Sequence, residues 1–188
     1  MGTNITKKIL REQTLRRRLS LKPAEIKKAS SLIVKKFKNL PEFKKAKSIL
    51  FYIPIKNEID TLLIIKECFG KKIVLVPKVY WQKMSAYKIE SLNDLEYGAF
   101  NIPTAKKHCS IFKLSDIDVI IVPGIAFDKK MDRIGFGKGF YDKFLKRFKG
   151  LKIALAYDFQ ILENIPGERY DEKVDIIVTP TKVIKPTL

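Results

Sequence analysis

The chain has 188 residues and carries 38 lysines and arginines against 20 aspartates and glutamates, which gives a formal net charge of +18. This length suits one well-packed domain, and the charge favours anionic partners such as nucleic acid, acidic membranes or multiply charged small molecules. The basic residues are spread along the chain without a base-stacking motif, and no apolar run approaches transmembrane length, so we expect neither a nucleic-acid nor a membrane partner.

Two helices are predicted at the start of the chain. Residues 4–19 repeat apolar side chains at roughly helical spacing among basic residues, which predicts an amphipathic helix with a charged outer face. Its apolar positions are Ile5, Ile9, Leu15 and Leu19. Lys7 and Arg11 share one side of this helix, and that side is solvated unless the helix folds over an anion. A second helix begins at Pro23, because proline suits a first helical position.

Short apolar runs alternate with helical patterns over the rest of the chain. The runs that predict buried strands are residues 48–53, 72–76, 119–122, 152–156 and a last one within 170–180. Repeated strand-plus-helix units of this length indicate a parallel sheet with right-handed crossovers. We therefore predict an α/β fold: a single domain with a mostly parallel, Rossmann-like open sheet flanked by helices, and with an N-terminal helical pair.

Two acids follow the first predicted strand. Glu58 and Asp60 lie between that strand and the start of a helical pattern. In open α/β sheets, ligands bind beyond the carboxyl ends of the strands, so either acid is a candidate binding residue. Either acid could equally serve only to cap the helix that follows. Both interpretations remain open from the residues alone.

The most informative stretch follows the strand at 119–122, which ends at Pro123 and Gly124. After a polar loop, three glycines open an amphipathic segment: Gly135, Gly137 and Gly139. Glycine allows positive φ and a close approach of backbone to ligand, and the N–H groups at a helix start attract anions. Arg133 and Lys138 favour an anion site over a purely structural turn.

Neither of two common nucleotide-binding fingerprints fits this stretch. Phe140 occupies the place of the third glycine in the dinucleotide motif G-x-G-x-x-G. Counting back from Gly137 and Lys138, a P-loop would need glycine where Asp132 stands and serine or threonine where Gly139 stands. The stretch is therefore predicted to be a phosphate cradle of another kind.

An acid lies one turn into the helix that follows the glycines. Asp142 would repel phosphate unless a cation lay between them, and Mg²⁺ is usually held by one or two carboxylates together with nucleotide phosphates and water. An ATP–Mg²⁺ site would explain the glycines, the basic residues and the acid together. The alternative for Asp142 is complementation of the helix dipole, a contribution of about 0.3–1 kcal/mol.

These motifs resemble those of the 5-formyltetrahydrofolate cyclo-ligase family, also called methenyltetrahydrofolate synthetase. The matching segments occur in the family's order and span nearly the whole chain: residues 7–11, residues 57–61, residues 122–128, residues 133–142 and Val174-Asp175. The combination of P-G-x-x-F-D with R-[LI]-G-x-G-x-G-[YF]-Y-D is specific to this family.

The resemblance implies an ATP- and Mg²⁺-dependent closure of 5-formyltetrahydrofolate to 5,10-methenyltetrahydrofolate, with release of ADP and phosphate. In the family's scheme the formyl oxygen attacks the γ-phosphoryl group and gives an iminium phosphate at N5. N10 then attacks the same carbon and phosphate leaves. Positioning and charge stabilisation are what phosphoryl transfer mainly asks of a protein, so no side-chain nucleophile is required.

Site residues are carried over from the family's motifs by position. The residues implied for ATP are Lys7, Lys8, Arg11, Arg133, Ile134, Gly135, Phe136, Gly137, Lys138, Gly139, Phe140 and Tyr141. Among these, the residues implied for catalysis are Arg133, Lys138 and Tyr141. The residues implied for the folate are Ile53, Glu58, Phe100, Gly137, Lys138, Gly139 and Phe140. Asp142 and Asp175 would bind Mg²⁺.

Three positions depart from the family's pattern. Met131 stands where a glycine is often found, Phe136 where some relatives have arginine, and Phe140 where tyrosine is common. These changes could weaken the binding of ATP or folate, but they leave Lys138 and Tyr141 in place. We expect them to tune the activity without abolishing it.

Cysteine usage and the N-terminal sequence bear on the compartment. Cys68 and Cys109 are far apart, and the first residues lack the apolar core of a signal peptide, so we expect a cytoplasmic protein. Separately, we expect the protein to be a monomer. Two rival functions use the same kind of fold: a basic RNA-associated protein and a sugar-phosphate isomerase-like enzyme. Acids at the phosphate site disfavour the first, and the second would not need ATP.

Overall fold

The computed structural model describes residues 2–81, 83–98, 102–168 and 171–186, and the side chains among them from residue 6 onward. The α-helices are α1 (Gly2–Leu19), α2 (Pro23–Asn39), α3 (Pro41–Lys45), α4 (Leu62–Cys68) and α5 (Phe140–Leu145). The strands are β1 (Ser48–Leu50), β2 (Ile73–Tyr80), β3 (Lys83–Ile89), β4 (Leu95–Tyr97), β5 (Pro103–Ala105), β6 (Ile111–Phe112), β7 (Val119–Ile121), β8 (Ala126–Asp128), β9 (Arg133–Ile134), β10 (Leu151–Leu155), β11 (Ile161–Leu162), β12 (Ile176–Val178) and β13 (Val183–Ile184).

Within these ranges the main sheet has eight strands in the order β13-β12-β10-β7-β1-β2-β3-β6. The five central strands, β12, β10, β7, β1 and β2, are parallel. Strands β13, β3 and β6 add antiparallel pairs at the two sides. A smaller sheet, β11-β8-β9, and the hairpin β4–β5 complete the architecture. The predicted α/β class with a mostly parallel open sheet is confirmed.

The core lies on both faces of the main sheet. Ile49 of β1 pairs with Val74 and Val119, and these side chains pack on one face with Phe37 of α2. Leu50, the next residue, packs on the other face in a cluster that includes residues of α5. Because successive residues of a strand point to opposite faces, a strand covered on both sides needs an unbroken apolar sequence. This requirement explains the continuous apolar runs in the sequence.

Helix α1 differs from the prediction. The expected apolar positions Ile9 and Leu19 are 47% and 51% exposed, and Leu15 is half-buried. The buried positions are polar instead: Lys7, Thr14 and Arg18. Helix α1 contacts β8 and reaches the loops that follow β1 and β7, so much of its inner side faces polar backbone groups, while the half-buried Leu10 packs against the small apolar cluster that includes Ile134. The prediction that Ile9 and Leu19 lie on the inner side was therefore wrong. The side chain of Ile5 lies outside the described part.

No helix in the described part of the chain is long and apolar enough to cross a membrane.

Candidate active site

The glycine loop, residues 135–139, leaves strand β9 and leads into α5. Gly137 has φ +88° and Gly139 has φ +67°, so both occupy the left-handed region that glycine reaches without strain. A Cβ added at Gly135 would lie 2.8 Å from Arg133 Nη1, so a larger residue there would push the Arg133 guanidinium away. Two of the glycines therefore provide the backbone conformation, and the third leaves room for the Arg133 side chain.

Arg133 and Asp142 lie together at the two ends of this loop. Arg133 Nη2 donates to Asp142 Oδ1 at 2.5 Å, and Nη1 donates to the carbonyl oxygen of Pro123 at 3.2 Å. The Arg133 side chain is almost fully buried, whereas that of Asp142 is 30% exposed. The sequence prediction that both residues belong to one site fits this arrangement.

The basic side of α1 folds over the glycine loop. Arg11 Nε donates to the carbonyl oxygen of Gly135 at 2.9 Å. Lys7, which is 5% exposed, pairs with Asp171 and lies 3.5 Å from Glu168. The side of α1 that carries Lys7 and Arg11 is therefore packed against other segments of the chain and is not fully solvated. Lys8, by contrast, lies on the exposed side of α1.

Glu58 is buried in the loop after β1. Its Oε2 accepts a hydrogen bond from the backbone N–H of Ile55 at 3.0 Å, and its Oε1 lies 3.8 Å from Arg18 Nη1. Burial raises the pKa of Glu58 to about 7, and Arg18 opposes this rise. Asp60, not Glu58, accepts from the first N–H of α4, at Leu62. The two acids thus separate: Asp60 stabilises the helix start, and Glu58 belongs to the polar cluster.

Three tyrosines surround Glu58. The Tyr52 hydroxyl donates to the carbonyl oxygen of Ile59, and the Tyr157 hydroxyl donates to that of Asn57, each at 3.0 Å. The Tyr141 hydroxyl is buried, and its pKa is raised by burial and by the nearby charge of Glu58. Tyr141 therefore stays a neutral phenol, able to donate a hydrogen bond.

Unpartnered polar atoms are concentrated in this cluster. Among the described residues, five buried side-chain nitrogen or oxygen atoms make no hydrogen bond, and four of them lie here. These four atoms are Arg18 Nη2, Glu58 Oε1, Arg133 Nε and Tyr141 Oη. Leaving a buried polar atom unpaired costs about 1–3 kcal/mol, so such atoms are few in folded proteins. Their concentration at the carboxyl edge of the sheet indicates a site built for a ligand.

Asp175 lies elsewhere. Its Oδ2 accepts from the backbone N–H of Lys152 at 2.7 Å, at the start of β10 and β12. There it lines a cavity of about 700 Å³ at the amino edge of the parallel strands. Asp142 lies at the opposite edge, where Arg133 binds the backbone beyond the end of β7. The predicted pairing of Asp142 and Asp175 around one ion is therefore not supported, because Asp175 precedes its strand and Asp142 follows a strand's end.

The remaining predicted residues fall into three groups. Lys138 and Phe136 are exposed on the glycine loop, and Phe140 begins α5 half-buried. The side chains of Ile53 and Ile134 are buried at the end of the β1 segment and in β9, respectively. Phe100 lies outside the described residues. No group of three or more histidine, cysteine or acidic residues within the described ranges could hold a metal ion.

The turn before β9 keeps its conformation without a glycine. Met131, at the departure noted above, has φ +67° and is buried against the core cluster that includes Phe127. Asp128 Oδ1 holds the same turn by accepting from the backbone N–H groups of Lys130 and Asp132 at 2.9 Å each. The left-handed backbone at this position is therefore retained, and the substitution leaves Arg133 correctly placed.

Sequence reasoning missed Arg18. This residue is 1% exposed and lies beside Glu58, at the centre of the polar cluster. A signal for it was present in the sequence: Lys7, Arg11, Thr14 and Arg18 follow the i, i+4, i+7, i+11 spacing of one helix face. The apolar pattern of α1 predicts a different buried face, and the shared side of Lys7 and Arg11 was not extended to Arg18.

Comparison with known proteins now decides the family. The profile of the 5-formyltetrahydrofolate cyclo-ligase family matches residues 3–180. The chain belongs to this family. The cyclo-ligase of Haemophilus influenzae is 32% identical over 149 residues, which cover 74% of this chain and 80% of that protein. The mouse cyclo-ligase is 28% identical and covers 93% of this chain and 94% of that protein.

A solved member of the cyclo-ligase family has the same fold. The structure of Aquifex aeolicus 5,10-methenyltetrahydrofolate synthetase superposes with a TM-score of 0.89 at 40% identity, covering 95% of this chain and 92% of that one. The family recognised from the sequence motifs is therefore confirmed, as is the prediction that the chain is an enzyme of the cyclo-ligase type.

Proposed function

We propose that this cyclo-ligase family member catalyses the ATP-dependent cyclisation of 5-formyltetrahydrofolate to 5,10-methenyltetrahydrofolate, with release of ADP and phosphate. Besides family membership, one structural observation supports the proposal. Four buried polar atoms without a hydrogen-bond partner lie beside a glycine loop flanked by basic residues, and they belong to Arg18, Glu58, Arg133 and Tyr141. Such a site offers donors for phosphate and an acceptor for an N–H group.

The ATP phosphates are proposed to lie on the glycine loop. Arg11 and Arg133 flank the loop on two sides, and Lys138 lies on it. Backbone N–H groups and two or three cations can stabilise the charge that develops on a transferring phosphoryl group. Arg133 Nε, which is buried and unpartnered, is the donor best prepared for this role.

Mg²⁺ is proposed to be held by Asp142. This residue is a carboxylate at the glycine loop, and Mg²⁺ commonly uses one or two protein carboxylates together with substrate phosphates and water. The donor set therefore fits the ion with Asp142 alone, without Asp175. When bound, the ion would neutralise part of the phosphate charge.

The folate is proposed to lie against Glu58 and Ile53. Ile53 supplies a buried apolar surface at the end of the β1 segment, and Glu58 Oε1 supplies an acceptor without a partner. The N–H groups on the edge of a pterin ring match such an acceptor. The formyl group of a substrate anchored there would point toward the phosphates on the glycine loop.

The proposed reaction needs no side-chain nucleophile, because the two substrates supply all the reacting groups. The formyl oxygen attacks the γ-phosphorus and ADP leaves; N10 then attacks the formyl carbon, loses its proton, and the carbon–oxygen bond breaks to release phosphate. The protein positions the two substrates and excludes water, which is what phosphoryl transfer mainly requires.

A direct assay tests the proposal. Purified protein is mixed with 5-formyltetrahydrofolate and Mg-ATP, and the absorbance of the methenyl product is followed, with parallel reactions lacking ATP or containing a chelator. We expect product only in the complete mixture. Absence of ATP-dependent product would overturn the proposal, and product formed without ATP would indicate a different chemistry.

A further inference from the structure

Arg18 joins three segments of the candidate site. Its Nε donates to the carbonyl oxygen of Lys56 at 3.0 Å, and its Nη1 donates to that of Gly124 at 3.1 Å. These carbonyls belong to the loops that follow β1 and β7, so one side chain of α1 ties both loops together. A buried guanidinium is costly unless several partners satisfy it, and a side chain held in this way has little freedom to move.

Arg18 is also the buried cation nearest to Glu58. The two side chains are 1% and 5% exposed, and each keeps one polar atom without a hydrogen bond. Lys56 is the other charged side chain that acts on Glu58. The charge of Glu58 in turn acts on three neighbouring tyrosines: Tyr52, Tyr141 and Tyr157. Arg133 acts on Tyr141. The tyrosines are neutral, and Lys56 is exposed, so Arg18 supplies most of the positive charge that Glu58 meets.

The glycine loop contacts Arg18 through Phe136. The guanidinium carbon of Arg18 lies 5.6 Å from the centre of the Phe136 ring, and Lys56 Nζ lies 5.7 Å from it. Cations attract the face of an aromatic ring at such distances. An arginine at position 136, as some relatives have, would be repelled by both cations. The phenylalanine of this chain instead draws the glycine loop toward Arg18.

We infer that Arg18 is a positioning residue of the folate site: it keeps Glu58 charged and oriented toward the substrate, and it holds the glycine loop beside Glu58. This inference rests on the proposed function. Arg18 lies directly beside Glu58 and contacts the glycine loop only through the ring of Phe136, so we expect a larger effect on binding of the folate than on binding of ATP. Without Arg18, the Ile55 N–H and Lys56 would still oppose the effect of burial on Glu58, but the largest opposing influence would be lost and the pKa of the acid would rise above 7.

The test compares Arg18→Met with the matched control Arg17→Met. Arg17 is the preceding residue of α1 and is exposed; its guanidinium carbon lies 4.5 Å from the centre of the Phe159 ring. The KM for 5-formyltetrahydrofolate, the KM for ATP and the pH dependence of kcat/KM are measured for wild type and both variants. In Arg18→Met, we expect the KM for folate to rise about tenfold or more, because Glu58 loses its charged partner, and the KM for ATP to rise less.

The pH profile separates a positioning role from a merely structural one. In Arg18→Met, we expect the acid limb of kcat/KM to move to higher pH, because Glu58 needs a higher pH to ionise. Arg18→Lys keeps the charge but cannot donate to both loop carbonyls, so it should restore the acid limb and only part of the KM. If Arg18→Met fails to fold, the same measurements on Arg18→Lys decide: an unchanged KM for folate would overturn the inference.

The outcomes also separate this inference from the proposed function. A wild-type protein without ATP-dependent product would overturn the proposed function and this inference with it. An active wild type whose Arg18 variants match Arg17→Met in KM and in pH profile would overturn the positioning role of Arg18 and leave the proposed function standing.

Discussion

Arg133 Nη2 lies 2.5 Å from Asp142 Oδ1, so the acid that we assign to Mg²⁺ is paired with the arginine that we assign to phosphate. Arg133 is paired with an anion, as it would be with phosphate, and Asp142 is paired with a cation, as it would be with Mg²⁺. Binding of Mg-ATP would exchange one ion pair for two, with Asp142 turning to the cation and Arg133 to the phosphate. The pair gives the buried guanidinium an acidic partner while the nucleotide is absent, and it places both groups at the same loop.

Replacing Asp142 by alanine should lower the kcat/KM of the folded protein far more than a loss of stability explains. Asp142 is 30% exposed, but its partner Arg133 is almost fully buried, so the substitution leaves a buried guanidinium without its acid and costs stability, up to about 3–5 kcal/mol. Loss of the proposed Mg²⁺ ligand should reduce turnover by at least about a hundredfold. Kinetics and thermal unfolding are compared with those of Asp116→Ala, which changes an exposed acid near the other edge of the sheet. A variant that only unfolds, with normal turnover of the folded fraction, would favour a capping role.

Asp175 should behave as a structural residue. Its carboxylate accepts a backbone hydrogen bond from Lys152, and loss of one such bond costs about 1 kcal/mol. We expect Asp175→Ala to lower the melting temperature by a few degrees and to leave the Mg²⁺ concentration for half-maximal activity unchanged. The measurement is a Mg²⁺ titration of activity with Asp142→Asn in parallel. A large rise in the Mg²⁺ requirement of Asp175→Ala would restore the role that the family resemblance implies.

Glu58 should make stability depend on pH. Its pKa of about 7 in the folded protein is above the ordinary value of 4.5, so between these values the folded state binds more protons than the unfolded state. Stability must therefore fall as the pH rises through this window. We expect wild type to lose more stability than Glu58→Gln between about pH 5 and pH 8.

The measurement for Glu58 is the difference between melting temperatures at the two pH values, which is independent of any constant effect of the substitution. Glu163→Gln, at an exposed position, is the matched control and should retain the wild-type difference. An equal pH dependence in wild type and Glu58→Gln would show that Glu58 is ionised in the folded protein throughout this range.

The basic residues of α1 should differ in their effect on ATP. Arg11 reaches the glycine loop, whereas Lys8, three residues earlier, is exposed. We expect Arg11→Met to raise the KM for ATP about tenfold, the size of one lost charge-assisted hydrogen bond, and Lys8→Met to change it little. Steady-state kinetics with varied ATP measure both. A larger effect at Lys8 would mean that the nucleotide approaches α1 from its outer side.

Features that depend on neighbouring residues in the chain, such as buried strands and tight turns, were predicted from the sequence. Apolar runs such as residues 119–122 identify buried strands, and the glycines at 137 and 139 identify positions that need positive φ. The side that α1 buries could not be obtained in this way, because its fully buried positions are polar and Arg18 among them binds backbone carbonyls such as that of Gly124. Arg18 was missed for this reason.

The position of Asp175 shows a second feature that could not be predicted from the sequence. The motif places it next to β12, but a motif does not say which edge of the sheet an acid reaches. The parallel direction of β10 and β12 decides this, because an acid that precedes a parallel strand lies at the amino edge. Only the strand order and direction separate it from Asp142.

The most direct test of the account follows the formyl oxygen itself. If 5-formyltetrahydrofolate carries a heavy-oxygen label in its formyl group, the proposed attack on the γ-phosphorus transfers that oxygen to phosphate. We predict that the phosphate released with each methenyl product carries one labelled oxygen, detected by mass spectrometry. Label appearing in water, with unlabelled phosphate, would contradict phosphorylation of the formyl oxygen at this site.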